Sequence, residues 1–284
     1  LCLAMAPFLG ARRLCLVSMH KPARELAGAC ARADAFAVLE HSDGAEWLVI
    51  HDAARRIALM AVAQIPATFE GLVRYNVANA LHAAAACYLA GIDPVAIRQG
   101  LAGFRMSSET TPGRLNFFEG LPFRLLLDYA HNPDGVARLC EFVDRIPVTG
   151  RRIIVFSAPG HNTVPVIAGN AHSAAGHFDH YVCFNYQRNV SKGQDDVPRV
   201  LADTLREHGV ASECIEIESL ELDALEKIFR LARAGDLVVF LSGVSNRGAV
   251  RDRVRAAIAA YRSGANDWYL APGAGPAPAG TSVH

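Results

Sequence analysis

Three polar side chains that could take part in chemistry follow one short apolar run near the middle of the chain. The run Leu125-Leu126-Leu127 is bounded by turn formers and is typical of a strand buried inside a parallel sheet. Asp128, His131 and Asn132 come next, and Pro133 then opens a helical pattern that Asn132 can cap. Because open α/β sheets bind ligands at the carboxyl ends of their strands, this order predicts a site here.

A fourth candidate, Arg114, lies just before this strand. It follows Pro112 and Gly113, and a guanidinium held by a Pro-Gly turn suits a bidentate contact with phosphate. Each candidate also has a structural interpretation. Arg114 could be a solvated linker arginine, Asp128 a turn former or helix N-terminal charge, and His131 a hydrogen-bonded structural histidine. The residues alone leave these alternatives open.

Two asparagines form a further candidate pair earlier in the chain. Asn76 and Asn79 stand near the start of a predicted helix, where one of them could equally be an ordinary N-cap. The histidines at positions 172, 177 and 180 are spread around a helix and not stacked on one face, and no Cys or Glu completes a ligand set with them. We therefore predict no metal-binding residues.

The elements that must position the candidates alternate regularly after residue 116. Such alternation of strand and helix predicts an α/β fold, with a Rossmann-like, mainly parallel sheet and helices on both faces. The predicted strands are Arg124 to Leu127, Arg152 to Phe156, His180 to Phe184, Glu213 to Ile217 and Leu237 to Leu241. The predicted helices are Pro133 to Arg145, Val164 to Ala175, Asp195 to His208, Leu220 to Arg233 and Arg247 to Tyr261.

The chain before residue 116 follows a different pattern. Short apolar segments between residues 13 and 62 alternate with turn signals and predict a small antiparallel sheet, which two helices starting near Gly71 and at Pro94 close. Ser, Thr, Pro and Gly residues between Met106 and Asn116 predict a linker. We therefore expect domains at 1–106 and 107–263, followed by a disordered tail at 264–284.

Composition excludes several kinds of protein. The 28 basic and 28 acidic residues give a formal net charge of zero, and no block of like charge predicts a nucleic-acid partner. No apolar run is long enough to predict a membrane partner, and the seven scattered cysteines favour reduced thiols, so we expect a cytoplasmic protein. Gly-x-Gly-x-x-Gly is absent from the strand-to-helix turns, which argues against an NAD-dependent oxidoreductase.

The motifs resemble those of the Mur ligase family in its C-terminal portion. Asn76-x-x-Asn79 on a helix, the segment from Thr111 to Asn116, and Asp128-Tyr-Ala-His-Asn-Pro133 occur in the order expected for that family. Within it, the sequence is most similar to the cyanophycin synthetases. The resemblance implies that the first domain is the C-terminal part of an α/β central ligase domain and that the second closes over it.

The resemblance also implies roles for individual residues. In such ligases ATP and Mg²⁺ activate a carboxylate as an acyl phosphate, which an amino acid then attacks. Asn76 and Asn79 are expected near the adenine, Arg114 and Asp128 near the phosphates and ribose, and His131 near the reacting end. Asn132 is expected in the same nucleotide-binding set. The substrates would be ATP and an amino acid or peptide, with arginine added if the likeness to cyanophycin synthetase holds.

Two departures from the family pattern shape our expectations. The sequence has no Gly-x-x-x-x-Gly-Lys-Ser/Thr loop, so we expect part of a longer chain that needs an upstream P-loop segment in cis or in trans. The family's Gly-Asp-Arg type turn is replaced by Ser157 to Thr163. This replacement favours the alternative of a non-catalytic, ligase-derived binding or interaction module. A homo-oligomer is a further expectation that the sequence leaves open.

Overall fold

The computed structural model describes residues 2–10, 12–52, 55–186, 197–243, 246–265 and 268–270. The chain divides into two units, residues 1–105 and 106–284. Within the described ranges, no helix is both long enough and apolar enough to cross a membrane.

Among its described residues, the first unit contains a four-stranded sheet and four α-helices. The strands are β1 (Cys15–Ser18), β2 (Ala35–Ser42), β3 (Ala45–Asp52) and β4 (Arg55–Ala61), and the helices are α1 (Cys2–Met5), α2 (Ala23–Ala29), α3 (Arg74–Leu89) and α4 (Pro94–Gly103). The sheet order is β1-β2-β3-β4. The strands β2, β3 and β4 are antiparallel as predicted, but β1 pairs parallel to β2. The prediction missed α2, the crossover that returns the chain to the same end of the sheet.

The two faces of this sheet bury different side chains because strand residues alternate in direction. Ala35 and Ala37 of β2 pack with the apolar residues of α3 and α4, which include Leu81 and Ile97. Val38 faces the other way and packs with Leu26 of α2. The sheet therefore has a helix layer on each face.

In the described part of the second unit there are a six-stranded sheet and five α-helices. The strands are β5 (Asn116–Phe118), β6 (Arg124–Asp128), β7 (Arg152–Phe156), β8 (His180–Phe184), β9 (Ile215–Glu218) and β10 (Leu237–Leu241). The helices are α5 (Pro133–Val143), α6 (Val164–Ala174), α7 (Val197–Glu207), α8 (Glu221–Leu231) and α9 (Arg247–Arg262). The order is β5-β6-β10-β7-β8-β9, with only β5 antiparallel to its neighbour.

This arrangement confirms the predicted α/β class with a mainly parallel sheet. The middle residues of β6, β7 and β10 are all apolar because both faces of these strands are covered. Val238 and Phe240 of β10 pack with Leu225 of α8 and Val254 of α9 on one face of the sheet. Helix α6 contacts both α5 and α7.

Two segments of this unit differ from the prediction. The expected linker at 106–116 ends in a buried turn and leads directly into β5, whose residues pair with β6. Residues 268–270, expected in a disordered tail, form a 3-10 turn in which Trp268 lies 6.3 Å from Phe123 and 5.7 Å from Phe229 between ring centroids. Of the expected tail at 264–284, residues 264 and 265 are also described, whereas residues 266, 267 and 271–284 lie outside the described residues. Trp268 is ordered because its large apolar surface gains from burial.

Candidate functional site

The polar residues of the second unit gather where β6 and β10 end side by side. Asp128 is the last residue of β6, and its register partner is Leu241, the last residue of β10. The backbone N–H of Ser242 donates to the Asp128 carbonyl oxygen at 2.9 Å, which joins the loops that leave these two strands. The predicted loop after β6 and the beginning of α9 therefore occupy the same edge of the sheet.

Asp128 is buried and binds backbone groups. Its Oδ2 accepts a hydrogen bond from the Leu115 N–H at 2.9 Å, and its Oδ1 accepts one from the Ala130 N–H at 2.8 Å. Burial raises the pKa of Asp128, although these N–H groups and the Arg114 charge act in the opposite direction. The carboxylate therefore joins the turn before β5 to the loop after β6.

The turn that carries Arg114 is held by its own polar groups. The Asn116 amide nitrogen donates to the carbonyl oxygens of Thr111 and Arg114, and its Oδ1 accepts from the Gly113 N–H at 2.7 Å. Gly113 has φ +69°, and the buried Leu115 also has a positive φ, of +46°. A branched residue in this left-handed region is unusual, and the bond from Leu115 to Asp128 helps to maintain it.

Tyr129 is the residue on which the charged side chains converge. The Arg114 Cζ atom lies 5.2 Å from the centroid of the Tyr129 ring, and the Arg247 Cζ atom lies 4.9 Å from it. The His131 ring stacks on Tyr129 at 4.7 Å with an interplanar angle of 26°. The predicted residues Arg114 and His131 are thus brought together by a tyrosine that sequence reasoning did not single out.

Asn132 has the structural role that its position indicated. Its Oδ1 accepts from the Gly135 N–H at 2.8 Å, so it caps α5, and Pro133 occupies the first turn. The amide nitrogen of Asn170, on α6, donates to the His131 carbonyl oxygen at 3.4 Å. The helix α6 thereby supports the loop that presents His131.

The loop that replaces the family's Gly-Asp-Arg type turn follows β7 at the same edge. Ser157 and Ala158 are buried, whereas His161 is exposed. Thr163 precedes the first turn of α6, where Pro165 stands. The loop contains no acidic residue and no arginine, as the sequence showed.

A second buried group positions the connection from β10 to α9. The Glu221 Oε1 atom accepts from the Gly243 N–H at 2.9 Å, and burial raises the pKa of this carboxyl group. A Cβ atom at position 243 would lie 2.7 Å from the Tyr186 ring, so only glycine fits here. Asn246, just before α9, donates to the Tyr186 carbonyl oxygen at 3.3 Å. These contacts fix the direction in which α9 and Arg247 leave the sheet.

Asn76 and Asn79 lie in the first unit, inside α3. The helix begins at Arg74 and Val73 occupies its N-cap position without a side-chain bond, so the alternative that one of these asparagines caps it is wrong. The Asn76 amide nitrogen donates to the Ala67 carbonyl oxygen at 2.7 Å, and Asn79 donates to the Asn76 Oδ1 at 3.3 Å. Asn76 is buried by these contacts, whereas Asn79 is exposed.

The histidines considered for metal have separate partners. His172 contacts His208, His177 contacts Asp144 and His180 contacts Glu216. In the part of the chain that the structure describes, no group of three or more His, Cys, Asp or Glu side chains is placed to hold a metal ion.

Comparison with known proteins identifies relatives of this chain. Residues 113–243 match the family described as Mur ligase, glutamate ligase domain. The chain is 33% identical to the cyanophycin synthetase of Synechocystis sp. over 184 residues, which are 64% of this chain and 20% of that protein. It is 28% identical to a UDP-N-acetylmuramoyl-L-alanyl-D-glutamate–2,6-diaminopimelate ligase of Corynebacterium efficiens over 213 residues, 69% of this chain and 38% of the relative.

The fold has matching solved structures. E. coli FolC in complex with DHPP and ADP gives a TM-score of 0.56 at 19% identity, covering 89% of this chain and 55% of that one. Mycobacterium tuberculosis folylpolyglutamate synthase complexed with ADP gives 0.57 at 18% identity, covering 84% and 55%. The predicted resemblance to the Mur ligase family and to cyanophycin synthetase is confirmed. The chain spans about a fifth of the length of the cyanophycin synthetases that it matches.

Proposed function

We propose that this chain is part of an ATP-dependent amide ligase that joins an amino acid to a carboxylate. The observation that carries the proposal is the packing of Arg114 and His131 against Tyr129 at one edge of the sheet, next to the buried Asp128 that holds the Arg114 turn. All four residues fall inside the segment matched by the ligase family. The relatives named as ligases and the ADP complexes of the structural neighbours support a nucleotide as the cosubstrate.

The residues present fit a polyphosphate anion. A guanidinium on an aromatic ring, next to an imidazole, supplies positive charge and directed donors, which favour the charge that develops when phosphate is transferred. ATP would supply the activation of the carboxylate, and Arg114 would orient its phosphates. His131 would face the reacting end. The oxygens of Asp128 already bind backbone N–H groups, so its contribution is to hold the Arg114 turn in place.

The adenine contacts and the magnesium ligands are proposed from the family resemblance. It implies that Asn76 and Asn79 approach the adenine, and Asn79 is the exposed member of the pair. Mg²⁺ is expected to be held mainly by an upstream P-loop segment, in cis or in trans. Arginine is the amino acid proposed for addition, because the cyanophycin synthetases are among the most similar curated relatives.

The proposal is tested by measuring ATP-dependent amide formation in the longest natural polypeptide that contains this chain. Arg114→Ala and His131→Ala should each lower the rate by about two orders of magnitude, as expected when one electrostatic contact to a transition state is lost. Arg230→Ala, an exposed arginine on α8, is the matched control and should keep the rate within about twofold. Replacing arginine by other amino acids in the assay tests the proposed substrate.

A non-catalytic binding module is the second candidate, and the loop from Ser157 to Thr163 favours it. That loop lacks the acid and the arginine that the family's pattern has at this place. Under this alternative, the intact polypeptide would bind nucleotide without forming an amide with any amino acid. Normal amide formation in a folded His131→Ala variant would remove His131 from the proposed machinery and favour its structural interpretation.

A further inference from the structure

Arg247 is a charged residue at the candidate site that no motif in the sequence identified. It begins α9 directly beyond the carboxyl end of β10, and its guanidinium lies over the same Tyr129 ring as that of Arg114. One of its nitrogens, Nη1, donates to the Pro112 carbonyl oxygen at 2.7 Å. Arg247 therefore contacts both the turn that carries Arg114 and the loop that carries His131.

In the described part of the chain, the two guanidinium groups at this place form no close ion pair, although the Arg114 charge acts to lower the pKa of the buried Asp128, whose oxygens accept hydrogen bonds from backbone N–H groups. Other arginines of the second unit form close ion pairs, including Arg151 with Asp236 and Arg253 with Glu226. Among the residues that the structure describes, no carboxylate lies within ion-pair distance of Arg114 or Arg247. Two like charges held beside one ring repel each other, so their proximity is most favourable when an anion lies between them.

The polypeptide is shaped to admit the Arg247 side chain. A Cβ atom on Gly113 would collide with the Arg247 Cδ atom, and Gly113 also needs its positive φ of +69°. Gly113 therefore both makes the turn and leaves room for the arginine stem. A guanidinium has five N–H donors, so the bond to Pro112 leaves Arg247 with further donors to offer.

We propose that Arg247 is the second guanidinium of a polyphosphate-binding site, which it forms with Arg114 around Tyr129. Planar guanidinium groups bind phosphate oxygens in pairs of hydrogen bonds, and two of them can contact neighbouring phosphates of one chain. This inference rests on the proposed function, because the polyphosphate would be that of the nucleotide. It adds the first residue of α9 to a site that the motifs placed only before β5 and after β6.

The test measures binding of inorganic tripolyphosphate to the whole 284-residue chain by calorimetry at low ionic strength, where screening is weak. Arg247→Gln and Arg114→Gln should each weaken binding about tenfold, consistent with the loss of one charge-assisted contact. The control Arg230→Gln removes the same charge from α8 and should change binding less than about twofold. Equal affinity of Arg247→Gln and the unaltered protein, or no binding by the unaltered protein, would overturn the proposal.

A double variant separates direct binding from support of the Arg114 turn. If Arg247 acts only by holding Pro112, then Arg247→Gln should have no effect in an Arg114→Gln background, and the proposal is wrong. A further loss in that background supports direct contact with the anion. Arg247→Lys keeps the charge and a donor for Pro112 but loses the planar fork, and it should bind with intermediate affinity. Thermal melts of every variant check that each is folded.

The same variants distinguish this inference from the proposed ligase activity. Tripolyphosphate binding that depends on Arg247, in a polypeptide that forms no amide, would support the anion site and contradict the ligase. Amide formation at the normal rate and the normal ATP dependence in Arg247→Gln would contradict the role of Arg247 and leave the ligase proposal intact.

Discussion

Replacing Asp128 by Asn should loosen the turn that carries Arg114. Asp128 is buried at the end of β6. Its two oxygens accept hydrogen bonds from the backbone N–H groups of Leu115, before β5, and of Ala130, after β6. Asparagine has the same shape but only one acceptor oxygen. Its amide nitrogen must then face one of these N–H groups, so that two donors oppose each other.

The cost can be worked out from these contacts. A buried N–H left without an acceptor costs about 1–3 kcal/mol. Removing the carboxylate also removes its desolvation penalty, which outweighs the hydrogen bonds and the Arg114 charge and so raises the pKa of Asp128, and this offsets much of the loss. The positive φ of Leu115 is less well supported in the variant. We expect Asp128→Asn to lower the free energy of unfolding of the second unit by about 1 kcal/mol, the low end of that range.

The assay follows urea unfolding through Trp268 fluorescence in a Trp47→Phe background, because the chain has only these two tryptophans and Trp268 packs in the second unit. Asp134→Asn is the matched control, since its side chain is 82% exposed, and it should change stability by less than about 0.5 kcal/mol. If Asp128→Asn is as stable as the control, the carboxylate does not maintain the turn and the reasoning is refuted. A loss much greater than 3 kcal/mol would mean that more of the unit depends on Asp128.

Two further predictions concern stability. Leu126→Ala, in the fully buried part of β6, should lower the free energy of unfolding by about 2–5 kcal/mol in the same urea assay. The control Leu222→Ala, on the exposed side of α8, should lower it by less than about 0.5 kcal/mol. Similar losses of stability in the two variants would contradict the assigned burial. Burial alone would raise the pKa of Asp236, but hydrogen bonds from Arg151 and Arg233 outweigh it and lower the pKa. Ionised Asp236 therefore stabilises the fold above its unfolded pKa, and Asp236→Asn should cost roughly 2 kcal/mol at neutral pH. This difference should shrink as the pH falls below the ordinary value of 3.8, and an equal difference at neutral and acidic pH would contradict the assignment.

Much of the second unit was predictable because its signals are local. The strand and helix around the Asp128 loop are the predicted ones, with β6 ending one residue later and α5 two residues earlier than expected. The cap that Asn132 forms on α5 was predictable because asparagine is favoured at the N-cap of a helix and proline is favoured at the first helical position. Apolar strands and amphipathic helices reveal themselves through periods of a few residues, so a single sequence is enough to locate them.

The errors occurred where a distant partner overrides a local signal. The segment 106–116 is rich in turn formers and was predicted to be a linker, yet Asn116 and Asp128 bind its backbone and make it an ordered turn. The predicted antiparallel sheet of the first unit failed at β1 because the short helix α2 was not anticipated. Asn76 lies inside α3 and does not cap it. Its side chain donates to the carbonyl oxygen of Ala67, which precedes the helix, and helix periodicity does not predict such a contact.

The sequence by itself determined the α/β class, the loop with Asp128, His131 and Asn132, the nearby Arg114, and the family resemblance. Only the tertiary structure placed Arg247 beside them. Its bond to Pro112 joins residues 135 positions apart, and it forms because β10 pairs with both β6 and β7. The order of parallel strands depends on packing across the whole sheet, and no local pattern specifies it. The sequence therefore identified the residues of each loop, and the strand order decided which loops meet around Tyr129.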